Sequence, residues 1–235
     1  MWRKLAIFVL QYKRGLLLCL LISTVMMGFL ATKVKLSYEF AKAIPANHPV
    51  YKDYLSFKEK FGDDGNTVVI GVQSNTIFEL PVFLQYRLLH QRLKQVADVE
   101  DVMSVPFAVN LYKDSLSEKL VAKRIFSDSI NSQAALDSAK AVFFNLPFYQ
   151  SLLYNPQTHA YLMGVRINPD SLNSVKRTAI IAQINNAVLQ FQNATKIETH
   201  VSGLPLIRTV VADRIQKEMR FFLIASLLLS VFILF

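Results

Sequence analysis

The sequence predicts an α+β chain with an N-terminal transmembrane helix, an exported domain built on a four-stranded sheet, and the start of a second transmembrane helix. Three observations carry this. Gly15 to Thr32 is an eighteen-residue stretch without Asp, Glu, Lys, Arg or His. As a helix it covers roughly 27 Å, close to the ~30 Å hydrocarbon core of a bilayer. A second apolar run, Phe221 to Phe235, follows Arg220. Between the two, strand-like and helix-like periods alternate as strand-helix-strand, twice.

Charge sets the expected orientation. Arg3, Lys4, Lys13 and Arg14 precede the first span with no acidic residue, so residues 1–14 are expected in the cytoplasm. Trp2, Leu5, Ile7, Phe8 and Tyr12 among these basic residues suit an amphipathic start at the interface. Residues 33–220 carry 22 basic and 17 acidic residues, and so long a segment translocates largely regardless of charge. The expectation is a bacterial inner-membrane protein with this segment in the periplasm. A cleaved signal peptide fits less well, because the apolar core exceeds an h-region and Phe29-Leu30-Ala31 lacks a small first residue. The second run ends at Phe235 without a polar flank, which suggests the N-terminal piece of a longer membrane protein.

Composition narrows the function classes. The chain is 52% hydrophobic, with the excess at its two ends. Its net charge of +9 is dispersed or flanks the spans, which favours membrane headgroups over nucleic acid as partner. The single cysteine, Cys19, lies in the first span, so no disulfide staples the exported domain.

The elements follow in order. Leu36 to Pro49 reads as irregular, with Pro45 and Pro49. Val50 to Phe61 has the spacing of an amphipathic helix, and Gly62-Asp63-Asp64-Gly65-Asn66 has turn chemistry rather than a calcium loop. Thr67 to Val72 is a short β-branched strand. Leu80 to Val96 is a helix facing the core with Val82, Tyr86, Leu89, Leu93 and Val96, and His90 stands at the boundary of that stripe. Val99 to Val105 is the next strand, closed by Pro106. The pattern weakens from Phe107 to Ile130, read as a helical insertion or lid within an insertion of about 106–159. A helix with Ser132 as N-cap runs to Phe144. Ala160 to Ile167 alternates as a strand, Val175 to Phe191 is a helix, and Ile197 to Val201 is the last strand. Two strand-helix-strand units with right-handed crossovers make a ferredoxin-like split βαβ sandwich over 33–204. A linker helix at 205–220 and the start of the second span at 221–235 complete the chain.

Two groups of residues are candidate sites. Phe143, Phe144, Phe148, Tyr149, Leu153 and Tyr154 lie in the most aromatic segment of the domain. They suit either ordinary core or a greasy surface for a lipid-like substrate or a neighbouring domain. Arg208, Arg214, Lys217 and Arg220 on the linker helix suit headgroup anchoring or coupling of span motion to the domain. No nucleophile elbow, zinc motif or phosphate loop is present, so neither an enzyme nor a cofactor is expected. His48, His159 and His200 are isolated and read as structural or surface residues. Asn193-Ala194-Thr195 is a glycosylation sequon without meaning in a bacterial source.

The ordered set Phe61-Gly62-Asp63-Asp64, Val99-Glu100-Asp101-Val102-Met103-Ser104 and Gly203-Leu204-Pro205, between the two apolar runs, resembles the beginning of a resistance-nodulation-division exporter. The branch it most resembles is the mycobacterial-membrane-protein-large type, with Patched-like relatives. That resemblance implies a polytopic protein in two similar halves, each starting with one span and a porter domain, that couples export of lipids or other hydrophobic molecules to proton entry. It implies as partners the bilayer, the remaining spans, a second porter domain of the same polypeptide and a hydrophobic substrate, with a homo-oligomer allowed. Neither apolar run carries an ionisable residue, so the proton relay is expected outside this chain. Two alternatives share the two-span layout with an exported ligand-binding domain. One is a receptor, which requires a downstream signalling module. The other is a polysaccharide chain-length regulator, which requires longer heptads than occur here.

Overall fold

A computed structural model describes residues 10–31, 47–61, 64–113, 119–174 and 176–234. The start of the amphipathic segment, most of the irregular stretch after the first span, and Gly62-Asp63 of the expected turn lie outside these residues. The chain divides into two units, Met1–Ser37 and Tyr38–Phe235.

The first unit holds α1, Lys13–Ala31. Its Leu, Val, Met and Phe side chains are exposed, as suits a helix whose solvent is lipid. Lys13–Leu30 is the helix among the described residues that is long and apolar enough to cross a membrane. The Thr24 hydroxyl donates to the Leu20 carbonyl at 2.8 Å, so it needs no water inside an apolar phase.

The second unit begins with α2, Pro49–Phe61. The chain then enters β1, Thr67–Gln73, through a 3-10 turn at Asp64–Asn66. Helix α3, Leu80–Lys94, leads to β2, Val99–Met103. The insertion holds β3, Val109–Lys113, β4, Leu120–Arg124, and α4, Gln133–Phe144. Then come β5, Tyr154–Asn155, β6, Ala160–Ile167, and the short α5, Pro169–Leu172. Helix α6, Lys176–Thr195, strand β7, Thr199–Ser202, and α7, Leu204–Leu234, end the chain.

The main sheet has the order β2-β6-β1-β7, every neighbouring pair antiparallel. Strands β1 and β2 are therefore parallel with β6 between them, and β6 and β7 are parallel with β1 between them. Strand β5 forms a hairpin with β6, on the edge opposite β1. Alternation decides which side chains go inward. Val68, Ile70 and Val72 of β1 and Tyr161, Met163, Val165 and Ile167 of β6 are buried against the helices. Helix α3 supplies Phe83, Tyr86, Leu89 and Leu93, and α6 supplies Ile180, Ile184, Val188 and Phe191. The Tyr86 and Phe191 rings meet at 5.8 Å between the two helices.

Several boundaries differ from expectation for physical reasons. Phe83 joins the expected stripe as a fully buried core residue of α3, while Val82 is partly buried and packs against the same core. Strand β2 stops at Met103 because Val105–Phe107, with Pro106, closes a 3-10 turn. The described residues of 107–130 are not the expected helical insertion: β3 and β4 pair there as a two-stranded sheet, and α4 supplies the helical part. Strand β7 starts at Thr199, since Ile197 lies before it. Helix α7 runs unbroken through the expected linker and the apolar run to Leu234.

Hydrogen bonds sew the insertion to the sheet-and-helix body. Gln133 accepts from the Leu80 amide at 2.8 Å and donates to the Phe78 carbonyl at 2.9 Å, capping the start of α3. Arg87 donates to the Ser127 carbonyl at 2.8 Å. Ser132 caps α4, accepting from the Ala135 amide.

Candidate functional site

A cleft of about 960 Å³ lies beside the β2 edge of the sheet. Its walls are the last turns of α3, strand β2, the 3-10 turn that follows, Arg124 at the end of β4, Asp128 beyond it, and the Phe148 to Leu153 segment. Each wall has a local cause. Helix α3 turns its His90, Gln91 and Lys94 edge toward the sheet rim because Tyr86, Leu89 and Leu93 occupy the core. Strand β2 ends at Met103, and the buried 3-10 turn Val105–Phe107 leads the chain into the β3–β4 hairpin, whose Val109 and Arg124 line the cleft.

A stack runs through the centre. The His90 ring lies on the Phe107 ring, 3.7 Å apart and 9° from parallel, and the Arg124 guanidinium stands 4.6 Å from the Phe107 centroid. His90 Nδ1 is 2.8 Å from the Ser104 hydroxyl, which makes one buried polar pair. Burial holds the His90 pKa down, to about 4, with Lys94 and Arg124 acting in the same direction and Asp101 against them. The imidazole is thus neutral at pH 7.

Charges at the rim are matched. Lys94 lies 3.4 Å from Asp101 and donates to the Glu100 carbonyl at 2.7 Å. Arg124 lies 3.1 Å from Asp128. The Tyr149 hydroxyl closes the floor, accepting from the Val109 amide at 2.9 Å and donating to its carbonyl at 2.7 Å. Two smaller troughs share residues with the cleft. One lies on the open sheet face among Val69, Met103, Leu152 and Leu162, and the other lies between Leu111, Leu146 and Phe148.

Ser104 is only 2% exposed, which shuts its hydroxyl away from a substrate even though an imidazole stands beside it. Among the described residues no cluster of three or more His, Cys, Asp or Glu is placed to hold a metal.

The aromatic candidates separate by burial. Phe143, Tyr149, Leu153 and Tyr154 are buried and Phe144 packs against the same core, so these five form the interior of the insertion. Only Phe148, at 74% exposure, faces outward, and it lines the cleft. Phe143 and Phe144 instead join Phe78, Phe126 and Tyr154 in one cluster of rings. The linker candidates lie on α7, where Arg214 pairs with Glu218 at 2.9 Å and Lys217 with Asp213 at 2.7 Å. Arg208 lies one turn into that helix and Arg220 stands immediately before the apolar run.

Sequence reasoning missed Ser104, Phe107 and Arg124 as partners of His90. The only local hint was the position of His90 beside the α3 stripe. No protein-family model matches the chain, and no curated protein matches it.

Proposed function

We propose that this chain is the N-terminal part of a proton-driven membrane transporter of the resistance-nodulation-division type, mycobacterial-membrane-protein-large branch, that exports lipids or other hydrophobic molecules. In this reading α1 is the first inner-membrane anchor with its N-terminus in the cytoplasm. The second unit is a periplasmic porter domain of ferredoxin-like, split βαβ form.

The observation that carries the reading is the antiparallel order β2-β6-β1-β7, followed directly by the 31-residue helix α7. That order is what two interleaved strand-helix-strand units produce. A helix of that length rises about 46 Å without interruption, so it can pass a displacement of its apolar end to the edge of the sheet. The cleft and its two apolar troughs give the domain a surface that suits a partly hydrophobic molecule. The proton relay belongs to later spans of the parent polypeptide.

The test is to read the parent gene beyond Phe235 and substitute any Asp or Glu found inside later hydrophobic spans. Loss of export with this domain still folded supports the reading. A gene that continues into one span and a soluble signalling module overturns it.

A further inference from the structure

We propose that the cleft beside β2 is a docking slot for an extended, uncharged segment of a second protein, which adds as a strand to the free edge of β2 and sets an apolar side chain in each adjoining trough. The inference goes beyond the transport reading and does not depend on it.

The residues around the cleft identify the part of β2 that it opens. Side chains alternate between the faces of a sheet, so a hollow on one face meets every second residue of a strand. This cleft meets four in a row, Asp101, Val102, Met103 and Ser104. Val102 and Ser104 are buried, while Asp101 and Met103 are exposed and belong to the other face. What the four share is the backbone edge.

That edge is open. Among the described residues β2 pairs with β6 alone, so on its other side alternate amide and carbonyl groups have no strand to meet. Its first half is guarded. The register shifts between Val99 and Asp101, and the Lys94 ammonium donates to the Glu100 carbonyl at 2.7 Å. Among the described residues no side chain bonds the backbone from Asp101 to Ser104, and the stretch closes where the Phe107 amide donates to the Ser104 carbonyl at 3.1 Å. These four residues cover roughly 10 Å at about 3.3 Å per residue, enough to pair with a segment of about four residues.

Chemistry selects the occupant. Lys94 with Asp101 and Arg124 with Asp128 leave the rim without net charge, and Gln91 and Gln95 add uncharged donors and acceptors. Main-chain amides match such walls, whereas an anionic headgroup would face two carboxylates. The troughs, of about 280 and 260 Å³, adjoin different parts of the cleft: Met103 and Leu153 border one, Phe148 and Tyr149 the other. A polar middle flanked by two apolar hollows suits a short strand with an apolar residue near each end. A molecule with one polar head and one tail would use a single trough. With Arg124, Asp128 and Phe148 as a second wall, the slot takes a lone strand rather than the sheet edge of another folded copy.

The test pans the full chain, held in lipid nanodiscs, against a random hexapeptide library displayed on phage, and the enriched peptide is then synthesised. The expected result is an uncharged peptide with an apolar residue near each end. Its affinity should fall at least tenfold when one set of alternate backbone amides is N-methylated and little when the other set is, because only one set faces β2. It should also fall about tenfold in F148A; Phe148 is exposed, so the fold tolerates the change, and an unaltered thermal midpoint checks this. No enrichment, or selection for charged peptides, overturns the inference. So does a peptide that binds equally well with either set N-methylated, which would make the cleft a general apolar pocket open to lipid. A Cys19→Ser, F148C chain whose maleimide labelling slows as protein concentration rises has its cleft filled by a second copy, and that overturns the inference too.

Discussion

Gly203 joins β7 to α7 with φ of +125°, and a Cβ there would meet the Thr67 carbonyl oxygen at 2.5 Å. Both the backbone region and the clash with a main-chain atom oppose any side chain. We expect Gly203→Ala to lower stability by about 2 kcal/mol or more, read as a drop in the thermal midpoint. Tyr86 presents the opposite case. Its hydroxyl is fully buried without a hydrogen-bond partner, and burial pushes its pKa up. Tyr86→Phe is expected to raise the urea midpoint, by about 1 kcal/mol in stability, because it removes an unsatisfied polar group and leaves the packing intact. For His90 the sign follows from a pKa lowered from 6.5 to about 4. Between these values the unfolded chain binds a proton that the folded chain refuses, so stability falls as pH drops through this window and is regained as pH rises. The loss is of order 3 kcal/mol by pH 4. His90→Gln should flatten that part of a stability-versus-pH curve, and an unchanged slope would remove His90 as its source.

At the scale of elements, α7 is the part where continuity matters more than its surface charges. The Asp213–Lys217 and Arg214–Glu218 pairs are exposed and contribute only about 0.3–0.5 kcal/mol each. Lys217→Ala should therefore change hydrogen exchange in α7 little. Lys217→Pro should break the helix near Asp213, costing about 3 kcal/mol locally, and give fast exchange there while the sheet stays protected. If Lys217→Pro leaves exchange at 213–217 slow, α7 is not one continuous helix in solution. The β3–β4 hairpin shows where elements escape a sequence reading. Leu111, Tyr112, Leu120 and Val121 are all exposed, so inward and outward positions carry no contrast of polarity. With that contrast gone, the period-2 pattern was invisible. In β1 and β6, by contrast, every second residue is buried by the helices and the alternation was plain.

For the whole molecule, the core of the second unit draws on β1, α3, the insertion, β6 and α6, with Leu206 of α7 packed against it. Among the described residues, nothing in that core comes from α2. A fragment of residues 64–212 is thus expected to fold alone and to unfold in one cooperative transition. The midpoint should not respond to reductant, because the sole cysteine, Cys19, lies in α1. Circular dichroism against temperature checks this, and a broad or reductant-sensitive transition would count against an autonomous domain.

The sequence by itself determined the apolar α1, the strand and helix character of β1, α3, β6 and α6, the Ser132 cap and most of the core-facing residues. Each of these is encoded in local period and cap chemistry, which act over a few residues. Only the tertiary structure decided the strand order, the burial of Phe143, Tyr149, Leu153 and Tyr154, and the cleft. His90 meets Ser104 and Phe107 from another element, and Arg124 reaches the same ring from the far side of a hairpin. Such contacts depend on how elements dock across distances in sequence where no periodicity survives, and docking is set by the complementary faces of the whole fold.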